Sequence, residues 1–326
     1  MAWDSVPWFT EGGAEHSSEV ARLLAYAAFG GAEGVVGSGD LSVRQLSAPA
    51  AAVQIRTGAC AILNRAPGGQ YQAYAARLPS VDELPIAATG ASPRSDLIVA
   101  RIENPYSAGE TWPNPTDPVV GPYVFTRVIS GVPATTTSVR QVRPNDSAIT
   151  LARIDMPANT SSVTQTVIKD LRTMVAPRRE RRIYNAFPDT LSELKWSDGN
   201  WYTWPAAANW DIEIPTWATR AKLITTVAGL RITRADLFAK MQNAMGSILL
   251  GQDTFIDDDQ GASTRRNTIV IADNWAIPAS ARGTVQKLRL QSSIYQSVAG
   301  DMSVDHGTSL IADIEFVEDP VEDEAV

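Results

Sequence analysis

Two apolar runs, Asp96–Pro105 (DLIVARIENP) and Ile149–Pro157 (ITLARIDMP), carry nearly the same text. Each leads through Ala-Arg-Ile into an acid, a spacer and a proline. A short β-branched run stopped by Pro, which cannot donate to a ladder, predicts a strand buried on at least one face. Side chains two apart share a face, which pairs Arg101 with Glu103 and Arg153 with Asp155. If the two strands are neighbours, cross-strand Arg–acid pairs would add about 0.2–1 kcal/mol each. The favoured expectation is simpler: these charges solvate the outer face of a half-buried sheet.

Ahead of these strands the period changes. Val20, Leu23, Leu24, Ala27 and Ala28 recur at helical spacing from Ser17 onward. Ser17 or Ser18 can cap the start, Glu19 suits the positive end of the dipole, and Gly30-Gly31 closes the helix. Its narrow apolar stripe suits either packing on its own domain or a subunit seam. Short strand signals then fill Gly34 to Ala176: SVRQL, AVQIRTGACAIL, SDLIVARIE, YVFTRVIS, TTTSVRQV and AITLARID. Pro67-Gly68-Gly69, Ala91-Ser92-Pro93 and Pro144-Asn145-Asp146 separate them, and Pro105 to Pro122 has the composition of a long exposed loop.

At VAPRRERR the composition changes. Arg178, Arg179, Arg181 and Arg182 suggest either a polyanion contact, or a solvated linker or a set of partners for the acidic surface nearby. Glu180 interrupts the run, which favours the second. Beyond it the text is strand-like and rich in tryptophan. KWSDGNWYTW predicts a hairpin turning at Asp198-Gly199. Strands are expected at Ala221 to Val227, Asn267 to Ala272, Thr284 to Tyr295 and Thr308 to Phe316. In the last, Leu310, Ala312, Ile314 and Phe316 form the inward face. Thr233 and Asp236 resemble a capping box, predicting a short helix over LFAKM. The predicted fold is mainly β: an N-terminal arm and helix (1–33), a β assembly domain (34–176), an Arg-rich linker (177–183), a C-terminal jelly-roll-like β-sandwich (184–320) and a frayed acidic tail (321–326).

Composition narrows the function classes. With 326 residues the chain is long enough for two cores, and a formal charge of −8 argues against a nucleic-acid binder. The lone Cys60 permits no intrachain disulfide and sits in an apolar stretch, as a core residue would. MAWDSVPWFT lacks the basic and apolar regions of a signal peptide, and no run is long enough for a membrane span; a product made in the cytosol that stays soluble is expected. His16 and His306, the chain's two histidines, read as surface residues. Gly34-Val-Val-Gly37-Ser-Gly39 fits neither the dinucleotide nor the Walker spacing. Asp257-Asp258-Asp259 offers carboxylates for calcium without EF-hand spacing, so a polar loop tip is favoured. No pair of acids is singled out for catalysis; the chain is read as no enzyme, with no cofactor. Trp201, Tyr202, Trp204 and Trp210 could offer stacking surface to sugar rings. The competing reading fills the core or a subunit interface with them, and alternation already sends Trp201 and Tyr202 to opposite faces. Trp3, Trp8 and Phe9 are candidate assembly contacts at the N-terminus.

Taken in order, the N-terminal helix, GGAEGVVGSGDLSV, AVQIRTGACAILN, PRSDLIVARIENPY and AITLARIDMPANTSSVTQTVIKDLR resemble the minor tail proteins of long-tailed phages infecting actinobacteria. The resemblance covers residues 17–182. IPASARGTVQKLRLQSS and TSLIADIEFVE are similar, less diagnostically, to sandwich domains that follow in some of these proteins. The resemblance implies a structural subunit of the tail tip or baseplate, a homotrimer around the tail axis bound to other tail-tip proteins, and it supplies no catalytic motif. The alternative function is an adhesin whose Trp-rich domain grips host cell-wall glycans.

Overall fold

Antiparallel β-strands make up most of the regular structure. The structure, a computed structural model, describes residues 15–195, 198–295 and 299–321; Trp3, Trp8, Phe9 and Trp196 lie outside them. The chain forms two units, one of residues up to Ala176 together with those from Pro320 onward, the other Pro177–Asp319.

The first unit begins with α1 (Ser18–Ala28). Ser17 caps it, its Oγ accepting from the backbone N–H of Glu19 and Val20 at 3.1 and 3.3 Å. Gly30 and Gly31 end it with φ of +59° and +73°, the left-handed region that suits glycine. Ten strands follow: β1 (Gly34–Val35), β2 (Val43–Ala50), β3 (Ala52–Ile55), β4 (Gly58–Leu63), β5 (Ala73–Leu78), β6 (Asp82–Pro85), β7 (Arg94–Ile102), β8 (Val124–Val132), β9 (Ala148–Met156) and β10 (Ile168–Asp170). They form three sheets, ordered β1-β4-β5, β2-β3-β6 and β10-β9-β7-β8.

The two repeated phrases are β7 and β9, adjacent and antiparallel. Their register sets Leu97 opposite Arg153 and Arg101 opposite Ala148. The charges therefore pair along each strand rather than across: Arg101 Nη2 lies 2.5 Å from Glu103 Oε1, and Arg153 Nε lies 2.8 Å from Asp155 Oδ1. Nor do they all solvate an outer face, since Glu103 and Arg153 are 6% and 5% exposed. Neighbouring groups cover and satisfy them. Arg127 adds a second guanidinium to Glu103, and Arg153 Nη1 donates to the Thr136 carbonyl at 2.7 Å. Cys60 is buried, and that burial, with the Asp40 charge, pushes its thiol up to about 12.

The second unit contains β11 (Arg179–Ala186), β12 (Ser192–Leu194), β13 (Tyr202–Thr203), β14 (Asn209–Glu213), β15 (Arg220–Thr233), β16 (Leu237–Met245), β17 (Leu249–Leu250), β18 (Thr254–Asp258), β19 (Arg265–Ala276), β20 (Val285–Ile294), β21 (Asp301–Val304) and β22 (Ser309–Val317). The long strands pair in nested fashion: β11 with β22, β14 with β20, β15 with β19, β16 with β18. One sheet is ordered β11-β22-β15-β19 and the other β14-β20-β16-β18, with the short strands added at their margins. That order is a jelly roll, a folded-over ladder rolled into two sheets. Its core takes Leu223 and Val227 from β15, Leu310, Ala312, Ile314 and Phe316 from β22, and Ile212, Met241, Leu288 and Leu290 from the facing sheet.

Four local expectations are corrected. Arg179–Ala186 is a strand, not a linker; Arg179 and Arg181 pair with Glu315 and Asp313 of β22, and Arg178, just before the strand, pairs with Glu318, just after β22. The segments flanking Asp198-Gly199 do not form a hairpin, because β12 pairs with β21 in one sheet and β13 with β20 in the other. LFAKM is strand β16, not helix: Arg234, at φ +77°, turns the chain out of β15 directly into it. The tail does not fray at once after Pro320, since Val321 N–H donates to Ser38 O and its carbonyl accepts from Arg172 Nη2 at 2.9 Å.

Candidate functional site

Of the four aromatics the sequence proposes for sugar stacking, two are core residues. Trp204 and Trp210 are 5% and 7% exposed. Their indole N–H groups donate to Ser192 Oγ at 3.1 Å and to the Asn185 carbonyl at 3.4 Å. An indole buried with its donor satisfied fills space and stays put. Tyr202 turns to its own loop, donating to Asp198 Oδ2 at 2.6 Å. That hydrogen bond holds the Asp198 carboxyl below, and the Tyr202 phenol above, their ordinary ranges. Trp201, Tyr202, Trp204 and Trp210 thus share no platform, and Trp201 alone is linked, through Lys240, to a cluster of other aromatic rings.

That cluster lies on the outer face of the β14-β20-β16-β18 sheet. Along β16, Leu237, Ala239 and Met241 point into the core while Phe238 and Lys240 alternate outward. Cross-strand partners share a face, so Phe255 of β18 and Ser293 of β20 flank Lys240, and Asp257 sits opposite Phe238. Tyr295, just after β20, donates its backbone N–H to the Phe238 carbonyl. Phe238 and Tyr295 stack with centroids 4.6 Å apart and planes 29° apart; Phe255 lies 5.9 Å from Phe238 and 6.4 Å from Tyr295. Lys240 Nζ sits over Trp201 at 4.4 Å and over Tyr295 at 5.6 Å, and donates to Asp253 Oδ2 at 3.1 Å. Beside it, Gln242 Nε2 donates to Gln291 Oε1 at 2.8 Å. Phe255 is 55% exposed. The result is a face of rings edged by amide, ammonium and carboxylate groups. Sequence reading missed Phe238, Phe255 and Tyr295. The signal was present in the period-two alternation of LFAKM, hidden by assigning that stretch to a helix.

A second surface lies in the first unit. The apolar stripe of α1 faces away from the protein: Leu23 and Leu24 are 45% and 47% exposed, and Ala27 and Ala28 are exposed beside them. The helix rests on β5 by another face, with Arg22 over the Tyr74 ring at 5.4 Å and Tyr26 edge-on to Tyr71 at 5.7 Å. Strand β5 also lines a cavity of about 350 Å³, floored by Leu41, Cys60, Ala76, Ala100 and Leu151 and rimmed by Arg77, Glu83 and Arg127.

The carboxylates of the acidic triplet do not converge on one point. Asp257 and Asp258 belong to β18 rather than a loop tip. Asp258 is buried against Arg265 and Asn267, while Asp257 is exposed on the other face. Among the described residues, no group of three or more His, Cys, Asp or Glu is placed to hold a metal ion. No described helix is long and apolar enough to cross a membrane.

No protein-family model and no curated protein matches this sequence. Among solved structures, the chain is similar to infectious bursal disease virus Gx strain (TM-score 0.27, 10% identity, 89% of this chain and 80% of that one). It is similar also to the VP2 subviral particle of that virus (TM-score 0.25, 12% identity, 88% and 75%). A third likeness is to the insecticidal delta-endotoxin Cry8Ea1 from Bacillus thuringiensis (TM-score 0.22, 9% identity, 89% and 52%). Likeness at this level carries no argument for this chain. What defines its class is its own strand order: a mainly β protein of two units, the second a jelly roll with an aromatic outer face.

Proposed function

We propose that this chain is a structural subunit of a virion, a tail-tip or baseplate component that assembles as a homotrimer through its first unit. Host contact, in this reading, falls to the second unit. The observation that carries the proposal is the uncovered apolar stripe of α1, where Leu23 and Leu24 present about half their surface to solvent. An amphipathic helix ordinarily turns its stripe inward. One that turns it outward gains by meeting a second copy, whose identical stripe supplies a matching apolar surface. The order of phrases over residues 17–182 supports the same reading.

Light scattering on the purified chain tests it. A mass of three chains is expected, falling to one in the double variant Leu23→Asp/Leu24→Asp with the circular dichroism spectrum unchanged. A wild-type chain that stays monomeric across the accessible concentration range would refute the proposal.

A further inference from the structure

The second unit carries a polar-edged aromatic face whose composition selects a ligand class. We infer that the face formed by Trp201, Phe238, Lys240, Phe255 and Tyr295 binds a neutral pyranose-containing glycan.

A pyranose ring has a flat patch of C–H groups bounded by hydroxyls. It therefore asks for an aromatic ring beneath and hydrogen-bonding groups at the edge. Phe255 supplies the accessible ring, 55% exposed and near-parallel to the neighbouring Phe238 and Tyr295 rings. Lys240 and Asp253 stand beside it as donor and acceptor, 3.1 Å apart. The Trp201 ring lies 4.4 Å from Lys240 Nζ. The Ser293 hydroxyl, in register with Lys240, is buried and has no hydrogen-bond partner among the described residues. Phe238, Lys240, Phe255 and Ser293 sit on strands of one sheet, and Trp201, Asp253 and Tyr295 directly adjoin its strands, so little is lost in ordering them when ligand arrives.

Charge decides between ligand classes. The Lys240 ammonium is already matched by Asp253, and Asp257 adds an exposed carboxylate on the same face. Immediately beside Lys240 an anionic polymer would meet one carboxylate in excess, with Arg289 farther along β20 on the same face, whereas a neutral sugar would meet only paired or solvated groups.

This inference deepens the host-contact part of the proposed function but rests on a separate observation. The full chain is titrated with neutral gluco-, galacto- and manno-oligosaccharides and with anionic polygalacturonate, followed by tryptophan fluorescence and calorimetry. Saturable binding to at least one neutral sugar is expected, with none to polygalacturonate. Phe255→Ala is expected to weaken it about threefold to tenfold, and Trp201→Ala similarly. Phe255 is exposed, so its variant keeps the fold and melts with the wild type. No saturable binding to the neutral sugars, binding unmoved by both variants, or preference for the anionic polymer would each overturn the inference. So would a change of oligomeric mass on Phe255→Ala without sugar binding, which would make the face a protein interface. A trimer that binds no sugar defeats this inference alone, and a monomer that binds sugar defeats only the assembly proposal.

Discussion

The ion pairs of the first unit carry energy because they are covered. Burial alone would raise the Asp155 carboxyl. Hydrogen bonds from Arg153, Ser95 and Lys169 outweigh that and hold it down to about 2. Glu103 behaves alike: burial opposes ionisation, and the guanidinium groups of Arg127 and Arg101 win, leaving it below its usual range. A carboxyl depressed in the folded state binds fewer protons there than in the unfolded chain. Its stabilisation is complete above the ordinary carboxylate range and disappears as pH falls through about 2 for Asp155. Asp155→Asn should therefore cost on the order of 2 kcal/mol at pH 7 and almost nothing at pH 2. Urea unfolding followed at both pH values measures the difference, and an equal cost at both would contradict the account. Arg172 is a sharper case. Its side chain is fully buried, paired with Asp170, and donates to the carbonyls of Ser38, Asp40 and Val321. Arg172→Ala strands those acceptors and should destabilise the first unit by about 3 kcal/mol. The sequence marked Arg101 with Glu103 and Arg153 with Asp155 as same-face pairs, correctly. It could not show them covered, because the cover comes from Arg127 and from the Thr136 carbonyl on distant segments.

At the scale of elements, legibility followed period. β22 was readable because its alternation is clean: Leu310, Ala312, Ile314 and Phe316 are all fully buried. The α1 stripe was equally readable, yet its direction was not. Periodicity identifies an apolar face without saying what meets it, and here the helix packs on β5 by Arg22 and Tyr26 instead. β16 was misread because Thr233 and Asp236 imitate a cap, whereas the chain reverses there through Arg234 in a conformation glycine prefers. The misreading also hid the aromatic face. That left-handed residue gives a direct test of the turn. Arg234→Gly should stabilise the protein by about 0.5–1 kcal/mol, since the Arg234–Asp301 pair it sacrifices is largely exposed on the arginine side and contributes little. A lower melting temperature in that variant would show that the ion pair outweighs the strain.

For the whole molecule, the nested pairing of the jelly roll has a consequence for how the chain is divided. Its first and last strands are partners, with Arg179 opposite Val317 and Arg178 bound to Glu318. Adjacent strands lie roughly 4.8 Å apart, so the second unit leaves and returns to nearly one point. The residues after it belong to the first unit, where Val321 bonds to Ser38 and Arg172. The second unit is thus an insertion, and among the described residues its core is drawn from Leu194 to Phe316, with Tyr184 and Ala186 of β11 packed against it. Two chains follow from this. One is residues 177–319 alone; the other joins Ala176 to Pro320 through a short Gly-Ser bridge, keeping Val321 in place. Both should unfold cooperatively, because each retains a core of its own and neither is cut through a sheet. If assembly belongs to α1 and sugar binding to the face around Lys240, the bridged chain should scatter as a trimer and bind no glycan. Residues 177–319 should remain monomeric and bind glycan with the affinity of the intact protein. Light scattering and calorimetry on the two chains separate the activities, and trimers formed by residues 177–319 alone would move the seam from the helix to the jelly roll.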